Sequence, residues 1–247
     1  MDRIAENVRK NKSEGFVAAE VKRALKERVF GFEILAAPFV VSHLQLGLAL
    51  KRHGATLGPN ERAGVYLTNA LTGWEPPDVG AKERIDQMVA FPELKAERDA
   101  AYEVKCEKPI LVVLGNPPYN GYAGVAVEEE RDLSNAYRTT KRAPKPQGQG
   151  LNDPYVRFFR MAESRIVEKT HKGVVCFISN YSWLDGLSFT GMRERYLDVF
   201  DSVWIDNLHG DRTISEYAPD GRTSETVFAI GADAPGITIG TTITLCL

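Results

Sequence analysis

Four consecutive residues, Asn116-Pro117-Pro118-Tyr119, combine a side chain and a backbone suited to holding a planar amino group. The Asn116 side-chain carbonyl and the Pro117 main-chain carbonyl both accept hydrogen bonds, since a proline keeps its acceptor while its ring fixes φ. Two acceptors on one NH2 draw its lone pair out of conjugation and aim it at an electrophile. Tyr119 adds a face on which a planar base can stack. Two prolines can also simply end a strand, but such a string arises by chance in only about one chain in a thousand of this length. It directly follows Ile110-Leu111-Val112-Val113-Leu114, and in open α/β sheets ligands bind beyond the carboxyl ends of the strands.

The elements that must position this loop are legible from spacing. Ile110 to Leu114 is a continuous branched-apolar run, the pattern of a parallel strand covered on both faces. Before it, residues 4–28 read as one or two charged amphipathic helices with Ile4, Val8, Phe16, Val17, Val21 and Leu25 on one face. Val29 to Ile34 reads as a strand carrying an acid, Glu33, near its end, followed by a helix from Pro38 to Arg52. Gly64 to Asn69 is a second strand candidate, Trp74 to Pro77 a loop, and Pro92 to Glu107 a charged helix. After the Asn-Pro-Pro-Tyr loop, residues 121–150 carry no periodicity. They hold three acids (Glu128, Glu129, Glu130) and then a basic run, Arg138, Lys141, Arg142 and Lys145, that can either touch phosphates or stay solvated. Asp153 to Thr170 is helical in pattern, Gly173 to Ile178 is another buried strand, and Ser179 to Leu184 is a strand-end loop holding Tyr181 and Trp183. Phe189 to Phe200 reads as a helix, and Ser202 to Asp206, Thr226 to Ile230 and Ile237 to Leu247 as strands. Strands alternating with helices argue for an open α/β sheet.

Composition bounds the functional classes. The chain has 247 residues, 31 Lys+Arg against 33 Asp+Glu and a formal charge of −2, which excludes a strongly basic nucleic-acid coat. Its three cysteines, Cys106, Cys176 and Cys246, are far apart and build neither a disulfide framework nor a zinc knuckle, so no metal is expected and the compartment is reducing. Residues 1–28 contain no apolar core of a secretory signal. Ile34 to Leu50 is the most hydrophobic stretch, but it is short for a bilayer and interrupted by Pro38, Ser42, His43 and Gln45, which reads as a buried helix. A cytoplasmic location with no membrane partner is the expectation.

Asn116 to Tyr119 resembles the catalytic tetrapeptide of amino-group DNA methyltransferases, which move a methyl group from S-adenosylmethionine to adenine N6. Further blocks extend the likeness: Val29 to Phe39, Leu111 to Tyr119, Asp153 to Arg160, Gly173 to Asn180 and Trp204 to Asp211 resemble the methyltransferase region of type ISP restriction-modification enzymes. The resemblance implies a Rossmann-like methyltransferase sheet with helices on both faces. It implies that Asn116, Pro117, Pro118 and Tyr119 are catalytic, that Glu33 binds the cofactor's ribose hydroxyls, and that Asn69 falls where relatives place the acid reading the cofactor's adenine. It also implies double-stranded DNA as partner, with the adenine flipped out of the duplex. Tyr119 would be one face of the base clamp, with His209 and Tyr217 as candidates for the other.

The same resemblance implies a first strand and a Gly-rich turn whose free N–H groups meet the cofactor's carboxylate. Gly15 is the only glycine between Met1 and Arg28, so this strand and turn are missing from the pattern. In the family's order that strand is central, beside the strands holding Glu33 and Asn116. The expected organisation is therefore a partial methyltransferase domain: packing helices at 1–28, cofactor side and catalytic loop at 29–119, a mobile loop at 120–152, and a target-base side at 153–247. Upstream nuclease and motor regions and a downstream recognition domain of a larger polypeptide are its expected partners. Two other functions suit the same residues: a cofactor-deficient fragment serving as a DNA-binding or assembly module, and methylation of a protein glutamine amide.

Overall fold

The computed structural model describes residues 1–75, 92–118, 128–211, 217, 219–221 and 239–247. The chain divides into two units, Met1–Lys108 and Pro109–Leu247.

In the first unit the amphipathic expectation holds for α1 (Asp2–Asn11) and α2 (Val17–Glu27). Val17, Val21, Ala24 and Leu25 recur at helical spacing and are buried. Val17, Val21 and Leu25 pack with Ala5, Leu50 and Ala63 in one apolar cluster. Burying a side chain such as Leu25 is worth about 1.5–3 kcal/mol. Phe16, assigned to the same face, is instead 56% exposed, because it closes the short 3-10 turn Glu14–Phe16 before α2 begins.

The two strand candidates of this unit are β1 (Gly31–Glu33) and β2 (Val65–Leu67), paired in parallel with Glu33 opposite Leu67. Glycine is required just before β2. A Cβ on Gly64 would lie 2.5 Å from the Val29 carbonyl oxygen, and the Gly64 carbonyl accepts the Gly31 N–H at 2.9 Å. Helix α3 (Ala36–Arg52) follows β1 as expected, but the reading of a buried helix is corrected. Leu50 is its one buried residue, and Val40, Val41, Leu44 and Leu48 are exposed. Apolar content reports what a helix can bury; it does not supply the layer that buries it. No helix among the described residues is long and apolar enough to cross a membrane.

Helix α4 (Pro92–Glu107) packs Ala101 and Val104 against Tyr66, with Phe30 and Phe32 alongside. Its Glu97 carboxylate accepts from Arg62 Nη1 (2.6 Å) and Nη2 (2.8 Å) and from the Leu67 N–H (2.8 Å). Burial opposes ionisation of Glu97, but the Arg62 guanidinium and the Leu67 amide outweigh it and hold the carboxyl below the usual range.

In the second unit four strands pair in the order β3 (Val112–Gly115), β4 (Val174–Asn180), β6 (Thr241–Cys246), β5 (Val203–Asn207). β3 and β4 are parallel, while β6 is antiparallel to both of its neighbours, so β5 runs the same way as β3 and β4. The expectation that Ile110 to Leu114 is covered on both faces is overturned: Leu111, Val112 and Leu114 are 48%, 54% and 74% exposed. Among the described residues β3 is the edge of this sheet, and its partner β4 pairs alongside it without covering either face. In β4 the cover is one-sided too, Val175, Phe177 and Ser179 alternating with half-exposed residues.

Helix α6 (Pro154–Glu163) is capped by Asp153, whose carboxylate accepts the Tyr155 N–H, with Pro154 in the first turn. The helix predicted to Thr170 changes to π geometry over Ser164–Thr170 and stops at His171, which adopts a left-handed φ of 58°. Two features depart from the irregular 121–150 stretch. Glu128–Leu133 forms a helix, α5, and Ser134–Tyr137 a 3-10 turn. Helix α7 (Thr190–Val199) then leads to β5.

The core of the unit is aromatic: Phe159 meets the rings of Phe177, Trp183 and Tyr196 at centroid distances of 5.1, 5.6 and 5.7 Å. Beside it the fully buried Glu163 accepts from the Tyr137 hydroxyl (2.8 Å), Arg160 Nη1 (3.0 Å) and the Arg195 guanidinium. This neutralises a charge that would otherwise cost several kcal/mol to bury, roughly. The strand expected at Thr226 to Ile230 lies outside the described residues, as do Pro76, Pro77 and Tyr119.

Candidate active site

Because β3, β4 and β5 point the same way, their carboxyl ends share one edge of the four-stranded sheet. Asn116, Pro117 and Pro118 leave that edge directly after Gly115, which stands opposite Phe177 of β4. Pro117 is buried, whereas Asn116 and Pro118 are exposed, so the Asn116 amide is open to a ligand at the strand end. Tyr119 lies outside the described residues, and its stacking role stays an expectation.

The next strand, β4, ends at Asn180, whose side-chain oxygen accepts the Ser182 N–H at 2.8 Å. The Tyr181 N–H donates to the Gly240 carbonyl at 3.0 Å, and the Tyr181 hydroxyl donates to Asp211 Oδ2 at 2.8 Å. A Cβ on Gly240 would fall 1.4 Å from Tyr181 Cε1, so only glycine lets the ring lie against that backbone. Trp183 is 2% exposed and belongs to the core.

β5 ends at Asn207, whose side-chain oxygen accepts the His209 N–H at 2.9 Å. His209 is exposed and takes a left-handed φ of 59°. The strand order places β4 and β6 between β3 and β5, so the backbones leaving β3 and β5 are separated by three strand spacings, about 14 Å. Of the aromatic or imidazole groups at this edge, Tyr181 follows the strand beside β3 and His209 the strand furthest from it. Tyr217 is 68% exposed, and the residues on both sides of it lie outside the described set.

In the first unit Glu33 and Asn69 also share a carboxyl edge, that of β1 and β2. The Glu33 carbonyl accepts the Thr68 N–H at 2.8 Å, and its carboxylate Oε1 accepts the Leu35 N–H at 2.9 Å. Asn69 Oδ1 accepts the Leu71 N–H at 2.9 Å, a side-chain turn that ends the strand. The residue that organises this loop was not singled out from sequence. Lys105 of α4, only 3% exposed, sends its ammonium to the carbonyls of Asn69 (2.6 Å) and Thr72 (2.8 Å) and to Thr68 Oγ1 (3.2 Å). The same ammonium stands 4.9 Å from the Phe32 ring centroid and 5.8 Å from that of Trp74. A signal existed: Lys105 falls at helical spacing after the buried Ala101 and directly after the buried Val104.

The structure thus brings Glu33 and Asn69 to one sheet edge, and Asn116, Pro117, Pro118 and His209 to another.

No protein-family model matches the sequence, and no curated protein sequence does. Solved structures do match in fold. The ATP-dependent Type ISP restriction-modification enzyme LlaBIII bound to DNA superposes with a TM-score of 0.70 at 22% identity, over 99% of this chain and 15% of that one. A nuclease-deletion mutant of the Type ISP restriction-modification enzyme LlaGI, in complex with a DNA substrate mimic, gives 0.73 at 19% identity, over 100% of this chain and 19% of that one. A DrdV–DNA complex gives 0.68 at 21% identity, over 98% and 22%. The chain therefore spans between 15% and 22% of the length of these proteins and shares with them a Rossmann-like α/β fold.

Proposed function

We propose that this chain is the methyltransferase portion of a restriction-modification enzyme and transfers a methyl group from S-adenosylmethionine to adenine N6 in duplex DNA. The observation that carries this reading is the exposed Asn116 amide leaving the carboxyl edge directly after β3, followed by Pro117 and Pro118. Its fold likeness to restriction-modification enzymes solved with DNA or a DNA substrate mimic supports the choice of DNA over a protein glutamine as the source of the amine.

The residues present fit the nucleoside half of the cofactor. A half-exposed strand-end carboxylate, Glu33, suits a ribose diol, and Asn69 stands at the end of the neighbouring strand. Residues 1–28 form α1, a 3-10 turn and α2, which supply no Gly-rich turn for the methionine carboxylate. When bound, S-adenosylmethionine supplies the electrophilic methyl group. The chain's own contribution is positioning. Asn116 Oδ1 and the Pro117 carbonyl accept the two amine hydrogens and turn the lone pair outward, Tyr119 stacks the flipped base, and the proton leaves to solvent once nitrogen has become cationic. His209 and Tyr217 remain the proposed partners of Tyr119 on the second face of the base.

Transfer of tritiated methyl from S-adenosylmethionine to duplex DNA tests the reading. The purified chain should label adenine N6, and Asn116→Ala should lower the rate by about a hundredfold or more, the usual loss when a preorganised polar contact to the reacting group is removed. Unchanged labelling in Asn116→Ala overturns the assignment of that residue. No labelling by either protein, with DNA binding retained, favours the binding-module reading, for which the helical character of residues 1–28 is the specific observation.

A further inference from the structure

The basic run between α5 and α6 is held in a defined shape by acids that sit on another helix. Glu194 of α7 accepts three consecutive backbone N–H groups, from Lys141 (2.7 Å), Arg142 (3.0 Å) and Ala143 (2.6 Å). The amides of Ala143, Lys141 and Arg142 in turn keep the Glu194 carboxyl below the usual carboxylate range. One turn further along α7, Asp198 pairs with the Arg142 guanidinium. At the far end the Gln147 N–H donates to the Leu187 carbonyl (3.1 Å) and Ser188 Oγ donates to the Gln147 carbonyl (2.5 Å). At the near end the loop backbone lies against the start of α7 so closely that a Cβ on Gly191 would be 2.1 Å from the Tyr137 carbonyl oxygen. Pro144 and Pro146 remove further backbone freedom.

This surface segment, with little apolar burial of its own, is fixed at both ends and in the middle. Its four cations outnumber the two carboxylates that touch it among the described residues. Arg142 is paired, and Arg138 donates to the neutral side chains of Asn135 (3.1 Å) and Asn152 (2.9 Å), which leave its charge uncancelled. Lys141 and Lys145 are exposed and make no ion pair among the described residues. Ordering a cationic loop holds like charges near one another. That arrangement is favourable when a polyanion meets charges already in place, because no loop entropy is lost on contact.

We propose that residues 138–147 form a preordered contact loop for the phosphate backbone of duplex DNA, with Lys141 and Lys145 as the contacting charges and Glu194 as the positioning residue. This rests on the DNA reading above but makes a separate demand on the loop. The test is equilibrium binding of the full chain to a fluorescein-labelled duplex of about 30 base pairs, followed by anisotropy across a potassium chloride series. Replacing both lysines by alanine should weaken binding uniformly across sequences and lower the slope of log K against log salt by about 2.

Glu194→Gln supplies the decisive comparison. Coulomb's law alone predicts tighter DNA binding when a carboxylate beside the loop loses its charge. The proposal expects weaker binding, because one amide oxygen cannot hold three N–H groups, and expects the thermal unfolding of the chain to stay near that of the parent. Tighter or equal binding by Glu194→Gln overturns the positioning role, and an unchanged salt slope in the double lysine variant overturns the contact role. In both cases methyl transfer to DNA can persist, so the functional reading would survive. Absence of any DNA binding by the parent chain, with binding to vesicles of anionic lipid in its place, overturns the proposal together with its premise.

Discussion

Lys105 shows what a single side chain contributes that its residue type does not announce. A lysine in a charged helix is ordinarily solvated, yet here the ammonium is buried and ties together Thr68, Asn69 and Thr72, the loop that follows β2. Replacing it by methionine keeps an apolar stem of similar length beside Phe32 and Trp74 but leaves the half-buried Asn69 and Thr72 carbonyl oxygens without these donors. Lys105→Met is therefore expected to destabilise the protein by about 2–4 kcal/mol, since hydrogen bonds to charged groups are worth about 1.5–3 kcal/mol and stranded acceptors add to the loss. Urea unfolding followed at Trp74 measures this; a change below about 0.5 kcal/mol, the range of ordinary surface substitutions, would contradict the anchoring role. Asn69 teaches the complementary point. Its side-chain oxygen accepts the Leu71 amide, so it forms a strand-ending turn with its own chain. Asn116 stands out in the sequence because its neighbours are so unusual, and the structure leaves it exposed at a strand end, with its chemical role a proposal.

At the scale of elements, every helix and strand expected within the described residues is present, though several are shorter. Periodicity failed on burial. The apolar run ending at Leu114 and the apolar helix α3 have the composition of interior elements, but Leu114 is 74% exposed and α3 buries only Leu50. A sequence window records the surface an element is able to bury, whereas cover depends on strands and helices distant in the chain. The practical consequence is that Leu114→Lys should cost no more than about 0.5 kcal/mol in the isolated chain, as for an exposed position, and should raise solubility because charge protects an open sheet edge. A loss of about 2–5 kcal/mol, as for a buried leucine, would show that Leu114 is covered in solution. The long stretch before α6 failed in the opposite sense. Its helical turns are fixed by tertiary contacts such as the Tyr137 hydroxyl on Glu163, which no local pattern encodes.

At the scale of the molecule, each unit has its own apolar interior. The first is built on Val21, Leu25 and Leu50, with a smaller cluster around Tyr66, and the second on Tyr155, Phe159, Trp183 and Tyr196. Domains with separate cores can unfold separately. Phe159→Ala should lower the stability of the second unit by about 3–5 kcal/mol. Seen by fluorescence, the transition reported by Trp183 should move to lower urea while that reported by Trp74 stays in place. A common shift of both signals would mean that the units unfold as one. By itself the sequence determined the order of helices and strands and marked Asn116-Pro117-Pro118-Tyr119 as an unusual string after a strand, because these depend on residue type and on spacing along the chain. Only the tertiary structure decided that β6 runs antiparallel between β4 and β5, that His209 lies three strands from Asn116, that Trp183 is core, and that Lys105 and Glu194 organise loops far from them in sequence. Those outcomes depend on which distant surfaces meet, and a contact between residues tens of positions apart leaves no periodic trace in either segment.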